Sequence, residues 1–151
     1  MFSSLEIGQA PDFTKYLNRY DVIHLDIQWC MEPAGGPENV VSYITEKTIL
    51  ELRNYYPEIL PDSIKSLPEA LSCINTATGQ KFVVIIDEWD VLIRDASTDL
   101  VVQEEYINFL RGMFKGSELP IYQLAYLTGI LPIQKNQNTV SSEQFCGVYN
   151  D

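Results

Sequence analysis

Hydrophobic and polar positions alternate along this chain between two kinds of pattern, short apolar runs and longer stripes at helical spacing. Val22-Ile23-His24-Leu25-Asp26-Ile27 is β-branched with partial alternation and predicts a strand. The CMEPAGGPEN that follows is rich in Pro and Gly and predicts a loop. Pro37 suits the first turn of a helix, in which Val40, Ile44, Leu52 and Tyr55 recur until Pro57 stops the pattern. After the loop ILPDS, Ser66-Leu67-Pro68-Glu69 has the spacing of a capping box. The helix it opens carries the stripe Leu67, Leu71, Ile74 and Ala77, and Gly79 is placed as its C-terminal cap.

Phe82-Val83-Val84-Ile85-Ile86 has no alternation, which predicts a strand buried on both faces, as in a parallel sheet covered by helices. A third helix is expected from about Asp99, with Val102, Tyr106, Phe109, Leu110 and Met113 on one side. It should end at Gly116, with Arg111 and Lys115 in its last turn. Ile121 to Leu127 is a further apolar strand that closes in Thr128-Gly129. Beyond Pro132 the chain turns polar, which predicts a domain over residues 1–133 and a poorly ordered tail over 134–151. The order β-αα-β-α-β, with crossovers long enough for parallel right-handed connections, predicts a three-layer α/β fold.

Composition narrows the function classes. A chain of 151 residues holds one domain with a real core, and 46% hydrophobic with 21% charged residues is ordinary for a globular protein. The net charge of −11 repels nucleic acid and anionic membrane, and the Lys and Arg residues are scattered, with no basic stripe. Cys30, Cys73 and Cys146 lie far apart, which reads as free thiols in a reducing compartment. With His24 as the single histidine, little material exists for a His/Cys metal site. The N-terminus lacks the pattern of a signal peptide, and the longest apolar run falls far short of the ~20 residues that span a bilayer. A soluble, cytoplasmic protein is expected.

The sharpest chemical signal is Val83-Val84-Ile85-Ile86-Asp87-Glu88-Trp89-Asp90. In open parallel sheets, ligands bind beyond the carboxyl ends of the strands, where Asp87 and Glu88 would stand. The pattern suits a Walker B element, in which the first acid holds Mg²⁺ and the second polarises the attacking water. A strand that ends in Asp is also a common turn or helix cap, and that alternative stays open on spacing alone. Asp90 and Arg94 have the spacing of an exposed helical ion pair, Trp89 reads as packing, and Asp95 and Asp99 read as a solvated turn and cap. Thr128, at the tip of the next strand, is either a turn residue or a group that senses phosphate or orients water.

These segments resemble the bacterial AAA-ATPase-like family. KFVVIIDEWDVLI, a helix, and then YQLAYLTGILPI are similar to that family's Walker B strand and the strand after it, and YDVIHLDIQ is similar to its second core strand. The resemblance runs from about Tyr20 to Ile133. It implies a P-loop NTPase fold, ATP and Mg²⁺ as ligands, and often a fused nuclease-like domain of the PD-(D/E)xK type. On this resemblance Asp87 is the magnesium acid, Glu88 the catalytic acid and Thr128 the sensor-like residue.

A phosphate-binding loop needs GxxxxGK followed by Ser or Thr, and none of the eight glycines is followed by lysine. Lys47-Thr48 lies inside an amphipathic helix without the required glycines. The expectation is therefore an incomplete P-loop NTPase-like sheet, without the Walker A strand and helix. Such a piece of a longer ATPase would be inactive alone and bind ATP and Mg²⁺ weakly. A non-catalytic interaction or assembly module on the same fold is the first alternative. A metal-dependent hydrolase using Asp87, Glu88 and Asp90 is the second. Without the Walker A strand, Ile121, Leu124, Ala125 and Leu127 would line an open sheet edge. That edge would self-associate or be covered by the C-terminal tail.

Overall fold

The computed structural model describes residues 5–95, 99–115 and 121–130. After a short helix α1 (Phe13–Tyr16), strand β1 (Asp21–Asp26) leads into helices α2 (Ile27–Ala34), α3 (Val40–Tyr55) and α4 (Leu67–Thr78). Strand β2 (Phe82–Asp87), helices α5 (Val91–Asp95) and α6 (Leu100–Phe114), and strand β3 (Tyr122–Leu127) complete the order. The three strands form one parallel sheet in the order β1-β2-β3, with Asp26 in register with Asp87 and Ile86 with Leu127. The expected α/β class and parallel pairing are therefore both found, and β2 is the central strand. Residues 131–151, including the expected tail over 134–151, lie outside the described residues, as does Gly116.

Local chemistry sets most of the helix ends. Asp99 caps α6, its carboxylate accepting from Val101 N at 3.1 Å and Val102 N at 3.2 Å. Gly79 takes φ 73° and its N–H closes on Asn75 O, the left-handed cap that glycine adopts without strain. At Ser66 the expected capping box is not formed: no side-chain cap is made there, and Pro68 already removes one of the free donors.

The largest departure is α2, which occupies much of the segment expected to be loop. Asp26 accepts from Trp29 N at 2.9 Å and so caps it. Ile27, Cys30, Met31 and Ala34 lie at helical spacing against the core. Pro33 falls in the last turn of this eight-residue helix, and Gly35 at φ 79° ends it. The Pro and Gly residues thus terminate a helix instead of excluding one.

Two predicted stripe residues are also displaced. Tyr55 and Ala77 are exposed, while Ile49 and Ala70 complete the buried faces of α3 and α4. Both misplaced residues stand in the last turn of their helix, where the buried stripe has already rotated off the core.

Sheet burial departs from expectation as well. Along β2, Phe82, Val84 and Ile86 are fully buried, but Val83, Ile85 and Asp87 are only half-buried. The buried side continues through Ile23 and Leu25 of β1. The opposite side carries Val22, His24, Leu124 and Tyr126, with Val22 60% and Tyr126 57% exposed. Among the described residues β2 is thus covered on one face, not two. Strands laid down in the order 1-2-3 by crossovers of one hand bring all their helices to the same side. Contacts of α6 with both α3 and α4 agree with that. Ile121 also departs from its expected place at the sheet edge: it is 3% exposed and belongs to the core. Among the described residues no helix is long and apolar enough to cross a membrane.

Candidate active site at the carboxyl end of the sheet

Chain direction alone places Asp26, Asp87 and Thr128 at one end of the sheet, because all three strands run the same way. Thr128 extends the β3 ladder by one step, its N–H donating to Ile86 O at 2.9 Å and its carbonyl accepting from Trp89 N at 2.9 Å. Its hydroxyl is thereby held against β2 and donates to Asp87 Oδ1. The Glu88 N–H donates to the same oxygen at 3.1 Å. Among the described residues these two donors engage Oδ1 and none is found on Oδ2. One oxygen of the carboxylate is thus organised by two donors.

Glu88 leaves the strand with φ 52°, in the left-handed region that non-glycine residues seldom adopt. Such a conformation costs on the order of 1–3 kcal/mol and persists only where neighbours over-determine it. The turn it makes is closed by Val91 N on Glu88 O at 3.1 Å and leads straight into α5. From α5, Arg94 reaches back and donates to Glu88 Oε2 at 2.9 Å.

Asp90 is 0% exposed, which overturns its reading as half of an exposed pair. It does pair with Arg94, Nε to Oδ2 at 3.3 Å, as an ion pair and not an aligned hydrogen bond. Asp90 Oδ2 also accepts from Ile130 N at 3.1 Å, tying the turn after β2 to the chain after β3. A buried carboxylate is tolerated because these partners offset its desolvation. Behind it stands Tyr106, fully buried, whose hydroxyl is pushed well above the usual tyrosine range by burial and then by the Asp90 charge. Burial, and then the Asp26 charge, also pushes the Cys30 thiol up.

Gly129 explains the Thr-Gly pair physically. A Cβ there would stand 2.5 Å from Asp90 Oδ1 and 2.7 Å from the Trp89 ring, closer than real atoms approach. Trp89 itself is half-buried and packs against the core, as expected. Asp99 is the expected cap, and the Asp95 side chain lies outside the described residues.

The structure therefore brings together Asp87 and Thr128, with Glu88 adjacent and turned towards Arg94. Sequence reading missed Arg94 and the buried role of Asp90, because i,i+4 spacing reports adjacency and not depth. No group of three or more His, Cys, Asp or Glu converges on a metal position among the described residues. Asp90, facing the core, is not available to a carboxylate cluster with Asp87 and Glu88, which removes support from the metal-dependent hydrolase alternative.

Comparison with known proteins gives the family. No curated protein and no solved structure matches the chain. The family model described as Predicted AAA-ATPase matches residues 1–139, a span that contains all three strands and the acid-bearing end of the sheet. With an acid-tipped central strand, a Thr-Gly beside it and a match over nearly its whole length, the chain belongs to this AAA-ATPase-like family.

Proposed function

We propose that this end of the sheet is the cation- and water-handling part of an ATPase-type site on a P-loop NTPase-like fold. Asp87 holds Mg²⁺, Glu88 polarises water and Thr128 keeps the Asp87 carboxylate oriented. The observation that carries this reading is the Thr128 hydroxyl bonded to one oxygen of Asp87, with no donor on the other oxygen among the described residues. A single carboxylate oxygen with room for solvent suits Mg²⁺, which keeps several of its waters. When bound, the cation would neutralise charge on a phosphate ligand.

The residues do not fit the rest of a nucleoside triphosphate. The 151 residues contain no GxxxxGK motif to cradle phosphates, so those contacts would have to come from residues outside them. Hydrolysis by these residues alone is accordingly expected to be negligible. Affinity for Mg-ATP should be millimolar at best, about −4 kcal/mol.

Mn²⁺ as a Mg²⁺ substitute, followed by its paramagnetic resonance, tests the assignment with Trp89 fluorescence as a second reporter. Weak, saturable binding that Mg²⁺ competes away and Asp87→Asn removes is expected. Binding that is indifferent to Asp87→Asn would sink the assignment.

A second reading, a non-catalytic interaction module, is favoured by a different observation. Val22, Ile85, Leu124 and Tyr126 leave an apolar sheet face open among the described residues, next to the β3 edge. Self-association through that edge would appear as concentration-dependent mass in light scattering. A strict monomer at all concentrations would rule it out.

A further inference from the structure

Three groups at the turn after β2 are joined in a chain that the proposed cation site does not by itself require. Asp90, fully buried, is fixed by Ile130 N and pairs with Arg94 Nε at 3.3 Å. The terminal nitrogen of the same guanidinium donates to Glu88 Oε2 at 2.9 Å. A guanidinium is planar and rigid, so fixing one edge on a buried carboxylate fixes where its other edge can bind. Glu88 in turn holds a left-handed backbone conformation that directs it away from the alternation of β2. Without a partner, a carboxylate next to Asp87 would gain by turning towards any cation held there.

We propose that Arg94, anchored on Asp90, is a positioning residue that holds the Glu88 carboxylate out of the cation's coordination shell and keeps it for water. This rests on the reading of Asp87 as the cation ligand. Mg²⁺ affinity rises with the number of carboxylates that reach the ion, and a second one would tighten binding while removing the base that the reaction needs. Arg94 keeps the two acids in different roles although they are adjacent in sequence.

Mn²⁺ titration of the full chain and its variants separates the possibilities without any need for hydrolysis. Arg94→Gln should tighten Mn²⁺ binding by roughly 2- to 150-fold, the range of coupling between groups in contact. Glu88→Gln alone should change it little, and the double variant Arg94→Gln/Glu88→Gln should return to the wild-type value. Loss of a bulky side chain that mattered only for folding would not give that reversal. Arg94→Lys covers the case in which Arg94→Gln does not fold. A lysine ammonium can pair with Asp90 but lacks the rigid second edge that the guanidinium presents to Glu88, so tightening is again expected.

Unchanged or weaker Mn²⁺ binding in Arg94→Lys, with Asp87→Asn still removing it, overturns the positioning role and leaves the cation site standing. Tightening that persists in the double variant also overturns it, since Glu88 would not be the added ligand. Absence of any Asp87-dependent binding in every variant overturns the cation reading and this proposal together.

Discussion

The two faces of the sheet are made from the same three strands and have opposite surroundings. On one side Ile23, Leu25, Phe82, Val84 and Ile86 lie under the helices, and on the other Val22, His24, Val83, Ile85, Leu124 and Tyr126 face outward. Residue type does not distinguish them in β2, which is apolar on both sides. The difference is topological: a monotonic strand order with crossovers of one hand stacks the crossover helices on one face. Among the described residues, β2 is thus apolar on both sides but covered on one.

The largest expected effect comes from testing that asymmetry directly. Phe82→Ala on the covered face should cost about 3–5 kcal/mol of stability, read from urea unfolding. Ile85→Ala on the open face should cost about 1 kcal/mol or less. Equal losses would break the comparison and mean that the second face is also packed in solution.

A smaller effect sharpens where close packing lies at the end of the sheet. Gly129→Ala forces a Cβ against Asp90 and Trp89 and should destabilise the protein by about 1–3 kcal/mol, with a shift in Trp89 emission. Gly112→Ala, on the exposed side of α6 with nothing within 4 Å, should instead stabilise by up to about 1 kcal/mol. Like signs for the two substitutions would mean that the close approach at Gly129 is not maintained in solution.

The smallest effect concerns alkaline stability. Tyr56 is pushed up to about 12 by burial and by its hydrogen bond to Asp21, and burial also raises Tyr106 and Tyr122. Folded-state values above the ordinary 10.0 mean that the unfolded chain loses these protons first. Stability is therefore fully present below pH 10 and falls as pH rises through the folded values. Thermal melts between pH 10 and pH 12 should show that fall, and Tyr106→Phe with Tyr122→Phe should flatten it. An unchanged alkaline limb in the double variant would remove these tyrosines as its cause.

Much of this architecture was legible along the chain. Strands, helices α3, α4 and α6, the Gly79 and Asp99 caps, and the parallel direction of the strands follow from periodicity and connection length, while the central place of β2 follows from the family resemblance. Helix α2 was hidden because Pro33, Gly35 and Gly36 outweighed the spacing of Ile27, Cys30, Met31 and Ala34. That spacing was the signal that could have found it. Asp87, Glu88 and Thr128 stood out because a run of buried aliphatics ends on them. Asp90 and Arg94 did not, since their spacing is equally that of a solvated pair.

The sequence by itself determined which segments bury apolar surface and where chain direction puts the acids, because these depend on local pattern and on the covalent path between strands. Tertiary structure alone decided that the helices share one face and that Asp90 is interior. It also decided that Thr128 reaches Asp87 and that Arg94 bridges Glu88 to Asp90. Those outcomes depend on distances between residues remote in sequence, such as the 41 positions that separate Asp87 from Thr128. No local propensity encodes such a distance; packing of the completed sheet sets it.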